Sequence, residues 1–239
     1  MSRVAITHDV QALVLRRTPY AESDYILSFL TDGLGRISAL ARGARSSRKR
    51  FAGVLEPFHG LALRVEQRSS SELFELRAAK LDRLRCQLVE NLHALDVAGR
   101  ALVWVRQTLA PHTPEPSVWI GVQRLLDTLE ATPPETAAVA HSRLAEFGLN
   151  LLANLGLGLE FGRCVRCGRA CPERSTASVD PGRGGLVCRS CGGARLRVDP
   201  DLRRRMVRAA SGEIGVLLGQ DVRALKVVQD TLEAHTDIG

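Results

Sequence analysis

Four cysteines carry the clearest chemical signal in the chain. Cys164-Val165-Arg166-Cys167-Gly168 and Cys188-Arg189-Ser190-Cys191-Gly192 are two Cys-x-x-Cys knuckles twenty residues apart. Each knuckle places two thiolates at one tight turn, and the glycine after it frees the backbone to fold beneath a metal. Two facing knuckles therefore supply four sulfurs in the tetrahedral arrangement that Zn2+ takes. Such a site keeps no open position for water, so one zinc ion held by Cys164, Cys167, Cys188 and Cys191 is expected to hold structure together and to catalyse nothing. A redox-sensing dithiol and disulfides are the competing chemistries for the same residues. Cys171 has no knuckle of its own and is followed by Pro172, so it reads as a spare thiol, and Cys86, in a leucine-periodic stretch, reads as a small buried apolar residue.

A second chemistry lies in Arg42-Gly43-Ala44-Arg45-Ser46-Ser47-Arg48-Lys49-Arg50, which places five positive charges and no negative one in nine residues. Small residues between the cations let a backbone approach phosphates closely, so Arg42, Arg45, Arg48, Lys49 and Arg50, with Arg36 just before them, are expected to bind a polyanion. A solvated loop that only keeps the chain soluble is the bland alternative. Near the other end, Arg204, Arg205 and Arg208 fall on roughly one face of an expected helix and are candidates for a second such surface. Arg163, Arg166, Arg169 and Arg189, in and around the knuckles, leave room for a direct contact there as well.

Bond-breaking machinery is not visible. The sequence has no Gly-x-x-x-x-Gly-Lys-Ser/Thr phosphate loop and no His-Glu-x-x-His pair, and its six histidines are scattered, with no pairing to a nucleophile. No catalytic residue is assigned, and an enzyme is not expected.

The elements that would position these groups follow from periodicity. Val10 to Arg16, Tyr25 to Leu30 and Arg36 to Arg42 read as a three-strand meander with turn chemistry at Thr31-Asp32-Gly33-Leu34-Gly35, and Leu61 to Glu66 with Leu73 to Leu76 read as a hairpin across Ser69-Ser70-Ser71. Five strands split three and two by a long connection fit an OB-type Greek-key barrel, and an SH3-like barrel would read much the same. The period then changes. Leu84, Leu88, Leu92, Leu95, Leu102 and Leu109 predict one amphipathic helix ended by Pro111 and Pro114; a second follows from Ser117 to Glu130, capped by Ser117, and a third from Pro134 to Leu155. Ser178 to Val187 reads as the strand, turn and strand that fill a zinc ribbon, Asp199-Pro200 opens a helix with an outward basic face, and Val222 to Ala234 form the last. The expected architecture is a multidomain α+β protein: an OB-fold barrel over residues 1–80, a helical bundle over 81–161, a four-cysteine zinc-ribbon module over 162–198, and C-terminal helices over 199–239 that complete the helical domain and pack with the zinc module.

Composition bounds the setting. At 239 residues with 45% hydrophobic content the chain can bury real cores, while 4% aromatic content argues against an extended base-stacking platform. Residues 1–80 carry 13 basic against 8 acidic side chains, residues 81–161 carry 6 against 9, and residues 162–239 carry 14 against 9, so the net charge of +7 is gathered at the two ends. No apolar leader and no bilayer-length apolar run is seen, which predicts a cytoplasmic protein without a membrane partner and favours metal-bound thiolates over disulfides. Two further classes keep the same charge in view: an RNA-binding zinc-ribbon protein of the translation apparatus, and a metal-dependent nuclease that would need a carboxylate or histidine constellation.

Taken in order, several stretches resemble the RecO family of bacterial recombination mediators: Glu22-Ser23-Asp24, Gly35 through Arg45, Leu55-Glu56-Pro57-Phe58 where the family usually has Leu-Gln-Pro-Phe, Arg143 through Gly156, and the four knuckle cysteines. Glu56 is a minor departure, and Cys171 has no counterpart that the pattern assigns. The resemblance implies an N-terminal OB fold, a helical domain and a zinc module working in recombinational DNA repair after DNA damage. It further implies binding to single- and double-stranded DNA, ATP-independent strand annealing, association with RecR and single-strand DNA-binding protein, loading of RecA, and a nucleoid-associated location.

Overall fold

The computed structural model describes residues 5–47, 51, 53–68 and 71–236. The chain packs as two compact units that interleave in sequence: residues 1–90 with 109–130, and residues 91–108 with 131–239. The linear division at 80, 161 and 198 is therefore not how the helices are shared out.

The first unit is built on five strands, β1 (Ala5–Tyr20), β2 (Asp24–Thr31), β3 (Gly35–Ala41), β4 (Gly60–Arg68) and β5 (Leu73–Arg83), closed in the order β1-β2-β3-β5-β4. All pairings are antiparallel except β3 with β5, and β4 returns to β1 to complete the ring. In β3, Ile37, Ala39 and Ala41 are buried while Arg36, Ser38 and Leu40 alternate with them, the period-two pattern of a strand with one face in a core. Phe29, Leu27, Leu61, Val65, Phe74 and Leu76 fill that core, as do Phe51 and Leu55 from the connection between β3 and β4. Each such side chain stabilises the fold by about 1.5–3 kcal/mol, and Phe29→Ala is expected to cost about 3–5 kcal/mol.

The segment before α3 (Pro116–Ala131) runs against the β2–β3 turn. His112 N–H donates to Arg36 O at 2.9 Å, and at Gly35 (φ +67°) an added Cβ would sit 2.1 Å from Thr113 O, so only glycine fits both the backbone and the approach. The expected second helix thus belongs with the barrel rather than with a helical bundle. The reason is a fully buried guanidinium. Arg85 donates Nη1 to Phe58 O (2.6 Å), Nε and Nη2 to Asp127 Oδ1 (3.1 and 2.7 Å), and Nη2 to Gln123 Oε1 (2.7 Å). Glu130 accepts the Gln87 and Leu88 amides at the start of α1 (Cys86–Glu90). Burial alone would raise the pKa of Asp127, but hydrogen bonds from Arg85 and Arg83 outweigh it and hold the carboxyl below its ordinary value.

The leucine-periodic helix is broken in two. Asn91 stops α1 and accepts the Ala94 amide (2.9 Å), capping α2 (Leu92–Thr108) in the second unit. Leu84 and Leu92, expected on an apolar stripe, are exposed at 56% and 77%, and Cys86 is exposed rather than buried. The second helix opens at Pro116, a residue suited to the first turn, so Ser117 is not its cap. The third, α4 (Ala137–Asn154), opens three residues later than Pro134 because Thr136 accepts the Val139 amide.

In the second unit α2, α4 and α6 (Val222–Thr236) meet at Gly148, where a Cβ would lie 2.3 Å from Val228 and 2.8 Å from Trp104. A four-stranded sheet, in the order β6 (Glu160–Cys164), β8 (Gly185–Leu186), β7 (Ala177–Asp180), β9 (Leu196–Val198), carries the knuckles. It packs with the C-terminal helices: Arg223 of α6 donates to Arg197 O, and Arg203 of α5 (Pro200–Ala210) donates to Pro172 O. Asp199 caps α5 by accepting the Leu202 amide at 2.9 Å. Buried Glu146 accepts the Gly215 and Leu217 amides and so fixes the segment between α5 and α6. Among the described residues no helix is long and apolar enough to cross a membrane.

Candidate nucleic-acid interface and metal centre

The basic run after β3 is anchored to the barrel on both sides. On its N-terminal side Gly43 N–H donates to Asp24 Oδ1 (2.7 Å), Arg45 N–H to Ser23 O (2.8 Å), and Arg45 Nη1 to Ala21 O (3.0 Å). On its C-terminal side the Phe51 amide donates to Ser47 Oγ (3.1 Å), and the Phe51 ring is buried in the barrel core. The Gly43 amide holds the pKa of Asp24 below its ordinary value, so this anchor stays ionised at neutral pH. Arg45 is exposed with its side chain on a carbonyl rather than a carboxylate, and Arg42, 61% exposed, stands 3.4 Å from Glu75. Arg48, Lys49 and Arg50 lie outside the described residues.

Arg36 is not brought to this run. It is the second residue of β3 and Arg42 follows the strand's end, a separation of about 20 Å at the rise of a strand, and Arg36 Nε donates to Leu109 O at 2.9 Å. Its role in the structure is to hold the segment that crosses the β2–β3 turn.

The arginines of α5 are not an uncompensated basic face. Arg205 makes a two-pronged pair with Asp221 (2.8 and 2.5 Å), whose side chain is only 5% exposed. Arg208 donates twice to Glu213 Oε2 (2.9 and 2.6 Å), and Arg204 pairs with Asp201. On the other side of the helix Leu202, Met206, Ala209 and the long Arg203 are buried, while Val207 is 48% exposed.

The knuckles meet as their spacing requires. The sulfurs of Cys164, Cys167, Cys188 and Cys191 all lie within 4.8 Å of one another, and the Cys167 and Cys188 sulfurs are 3.7 Å apart. A tetrahedron with 2.3 Å zinc–sulfur arms has edges of about 3.8 Å, so the donor set fits zinc. Gly168 and Gly192 both adopt positive φ, as a chain turning beneath a metal needs. The Cys188 amide points at Cys164 Sγ (3.4 Å), and that amide first, with those of Arg166 and Cys167, draws the Cys164 pKa down to about 6. Hydrogen bonds with Cys188 and Cys167, with burial, push the Cys191 thiol up to about 12. Four sulfurs this close cannot all ionise unless a cation joins them. Cys171 stays outside the cluster, where it accepts from buried Arg203 Nη1 (2.8 Å). Arg166 and Arg169 reach across to Cys191 O (2.8 Å) and Ser190 Oγ (3.3 Å), strapping one knuckle to the other.

Two features are not apparent from the sequence. Glu22-Ser23-Asp24 is legible as a motif but not as the anchor of a loop twenty residues on; an acid at a hairpin end opposite a glycine-containing basic run is the available signal. Glu56, the departure from the usual glutamine, pairs with Arg17 at 2.6 Å, and Arg17 lies over the Tyr25 ring at 5.1 Å.

Comparison with known proteins accords with this geometry. The family model for the N-terminal region of recombination protein O matches residues 3–85, and that for its C-terminal region matches residues 89–233. A DNA repair protein RecO from Anaeromyxobacter sp. (strain K) is 37% identical over 191 residues, covering 80% of this chain and 71% of that one. The Myxococcus xanthus DNA repair protein RecO is 32% identical over 260 residues, 96% of this chain and 99% of its own. That of Geobacter metallireducens is 30% identical over 210 residues, covering 87% and 82%. Matched by both halves of the family model and by relatives along most of its length, the chain belongs to the RecO family.

Proposed function

We propose that this chain works in DNA repair as an ATP-independent mediator, gripping single- and double-stranded DNA through an OB-type barrel. The supporting observation is the basic run held at both ends, by Asp24 and Ser23 on one side and by the buried Phe51 on the other. Anchoring lowers the entropy lost when the cations meet phosphates, and small residues between them allow close approach. Arg42, Arg45, Arg48, Lys49 and Arg50 are the binding residues of this reading. Arg36 is dropped from it, and Arg204, Arg205 and Arg208 would have to leave carboxylates first. The better second cationic set is Arg163, Arg166, Arg169 and Arg189, although a zinc ion with four thiolates brings two negative charges of its own.

Annealing requires two phosphate backbones to be held close together, and two separate cationic sets would offset their repulsion. Zinc, held by the four cysteines, would fix the sheet that carries the second set. On the family reading RecR joins the chain, single-strand DNA-binding protein delivers the coated strand, and RecA is loaded onto it, without bond cleavage in the chain itself. The test is strand annealing on single strands coated with single-strand DNA-binding protein, with and without RecR, at several salt concentrations. Wild type should anneal, and a variant with Arg45, Arg48, Lys49 and Arg50 neutralised should not. Equal annealing by both would remove the loop from the mechanism.

A further inference from the structure

Tyr20 is the one aromatic side chain among the exposed large hydrophobics of the described residues, at 51% exposure. The chain has only two tryptophans, two tyrosines and six phenylalanines, and an aromatic face left in water has no folding reason to be there. Its position is specific. Tyr20 is the last residue of β1 and pairs with Asp24 across the β1–β2 hairpin. This hairpin end also anchors the basic run: Ala21 O and Ser23 O accept from Arg45, and Asp24 accepts the Gly43 amide. Ala21 itself turns through a left-handed conformation (φ 49°), which strains an L-residue and is kept only where the surroundings impose it.

The exposed ring and the rooted cations therefore share one hairpin end. Exposed Arg16 precedes the ring on the same strand, where the neighbouring Arg17 is paired with Glu56, and Arg42 and Arg45 stand at the anchored root. The carboxylate next to the ring, Asp24, is occupied by the Gly43 amide and the Ser23 hydroxyl, and Glu22 is the other acid of the turn. A phosphate chain bound along the root would bring an unpaired base within reach of the ring. Duplex bases are already stacked on each other and would not offer a face.

We infer that Tyr20 is a base-stacking residue that selects single-stranded over double-stranded nucleic acid, an inference that rests on the polyanion-binding reading of the adjacent run. Stacking is tolerant of base identity, since every base has a π-face, and it separates strands by form rather than sequence. The ring acts on bases; the arginines act on phosphates.

The full chain and its Tyr20→Ala and Tyr20→Phe variants should be titrated against three fluorescent probes: oligo-dT, an abasic strand of the same length, and a duplex. Tyr20→Ala is expected to weaken oligo-dT binding by roughly five- to 150-fold, the range expected for loss of one stacked base. The abasic strand and duplex should be unchanged, and Tyr20→Phe should behave as wild type. Oligo-dT binding unchanged in Tyr20→Ala would overturn the inference while leaving the polyanion reading intact. An equal loss on all three probes would also overturn it, because the residue would then act through the position of the loop. Failure of the wild type to bind any probe would refute the polyanion reading itself, and this inference with it.

Discussion

Two arginine-rich segments in this molecule look alike as strings of letters and differ in what surrounds them. In the run after β3, Arg45 is held by a carbonyl and Arg42 lies exposed at 3.4 Å from a shared carboxylate, whereas on α5 each of Arg204, Arg205 and Arg208 has an acid of its own. On the proposed reading the first region places charge where a phosphate can meet it. The second uses charge within α5, at Arg204 and Asp201, and to hold α5 to the segment after it, at Asp221 and Glu213. Positive charge in a sequence becomes a binding surface only where counter-charge is withheld, and that is a property of the packed chain.

The largest effect that would sharpen this contrast is expected at the metal centre. Cys188→Ser, or removal of zinc by a chelator, should unfold much of the second unit, since structural zinc contributes on the order of 10 kcal/mol in small sites. Metal analysis and thermal melting check this. Protein purified without chelator that contains no zinc would remove the assignment. DNA binding by the barrel should survive the same treatment better than stability does.

Next in size is Asp221→Asn. It leaves the half-buried Arg205 without its carboxylate, and breaking such a pair should cost about 2–4 kcal/mol, measured by denaturant unfolding. Burial tends to raise the pKa of Asp221, but Arg205 and the Leu218 amide outweigh it and depress the folded value below 3.8. The pair therefore contributes fully above the unfolded pKa and is lost as pH falls through the lower folded one. Wild type should lose stability below about pH 4, and the variant should lose less over the same window. A variant as stable as wild type would mean that Arg205 is free to serve elsewhere.

A smaller effect is expected at Asp24→Ala, which removes no cation but releases Gly43. Loss of one anchoring hydrogen bond, about 0.5–1.5 kcal/mol, should weaken DNA binding roughly two- to tenfold with the salt dependence unchanged. Unaltered affinity would show that anchoring does not matter.

What can be read from the chain follows the reach of each interaction. The knuckles are legible because Cys164 and Cys167, like Cys188 and Cys191, are three apart, and zinc geometry is local to each pair. The five strands are legible in their apolar centres, but β1 reaches back to Ala5 because polar residues such as Thr7 and Asp9 pair with β4, and on to Tyr20 because Thr18 and Pro19 pair with β2, which no alternation announces. The allotment of α2 and α3 to different units is not legible, because buried Arg85 finds Asp127 across 42 residues. Asp201 and Glu213, three residues before Arg204 and five after Arg208, stand in plain view as counter-charges. Asp221, sixteen residues beyond Arg205, can be found only in the folded chain.

The salt dependence of single-strand binding tests the contrast most directly, with two full-length variants compared against wild type: Arg45, Arg48, Lys49 and Arg50 changed to glutamine in one, Arg204 and Arg208 in the other. Each phosphate that is no longer neutralised should flatten the plot of log affinity against log salt by about 0.7, so the first variant should lose about 2–3 of slope and the second almost none. An equal slope in the first variant, or a comparable drop in the second, would contradict the assignment of the binding surface to the anchored run.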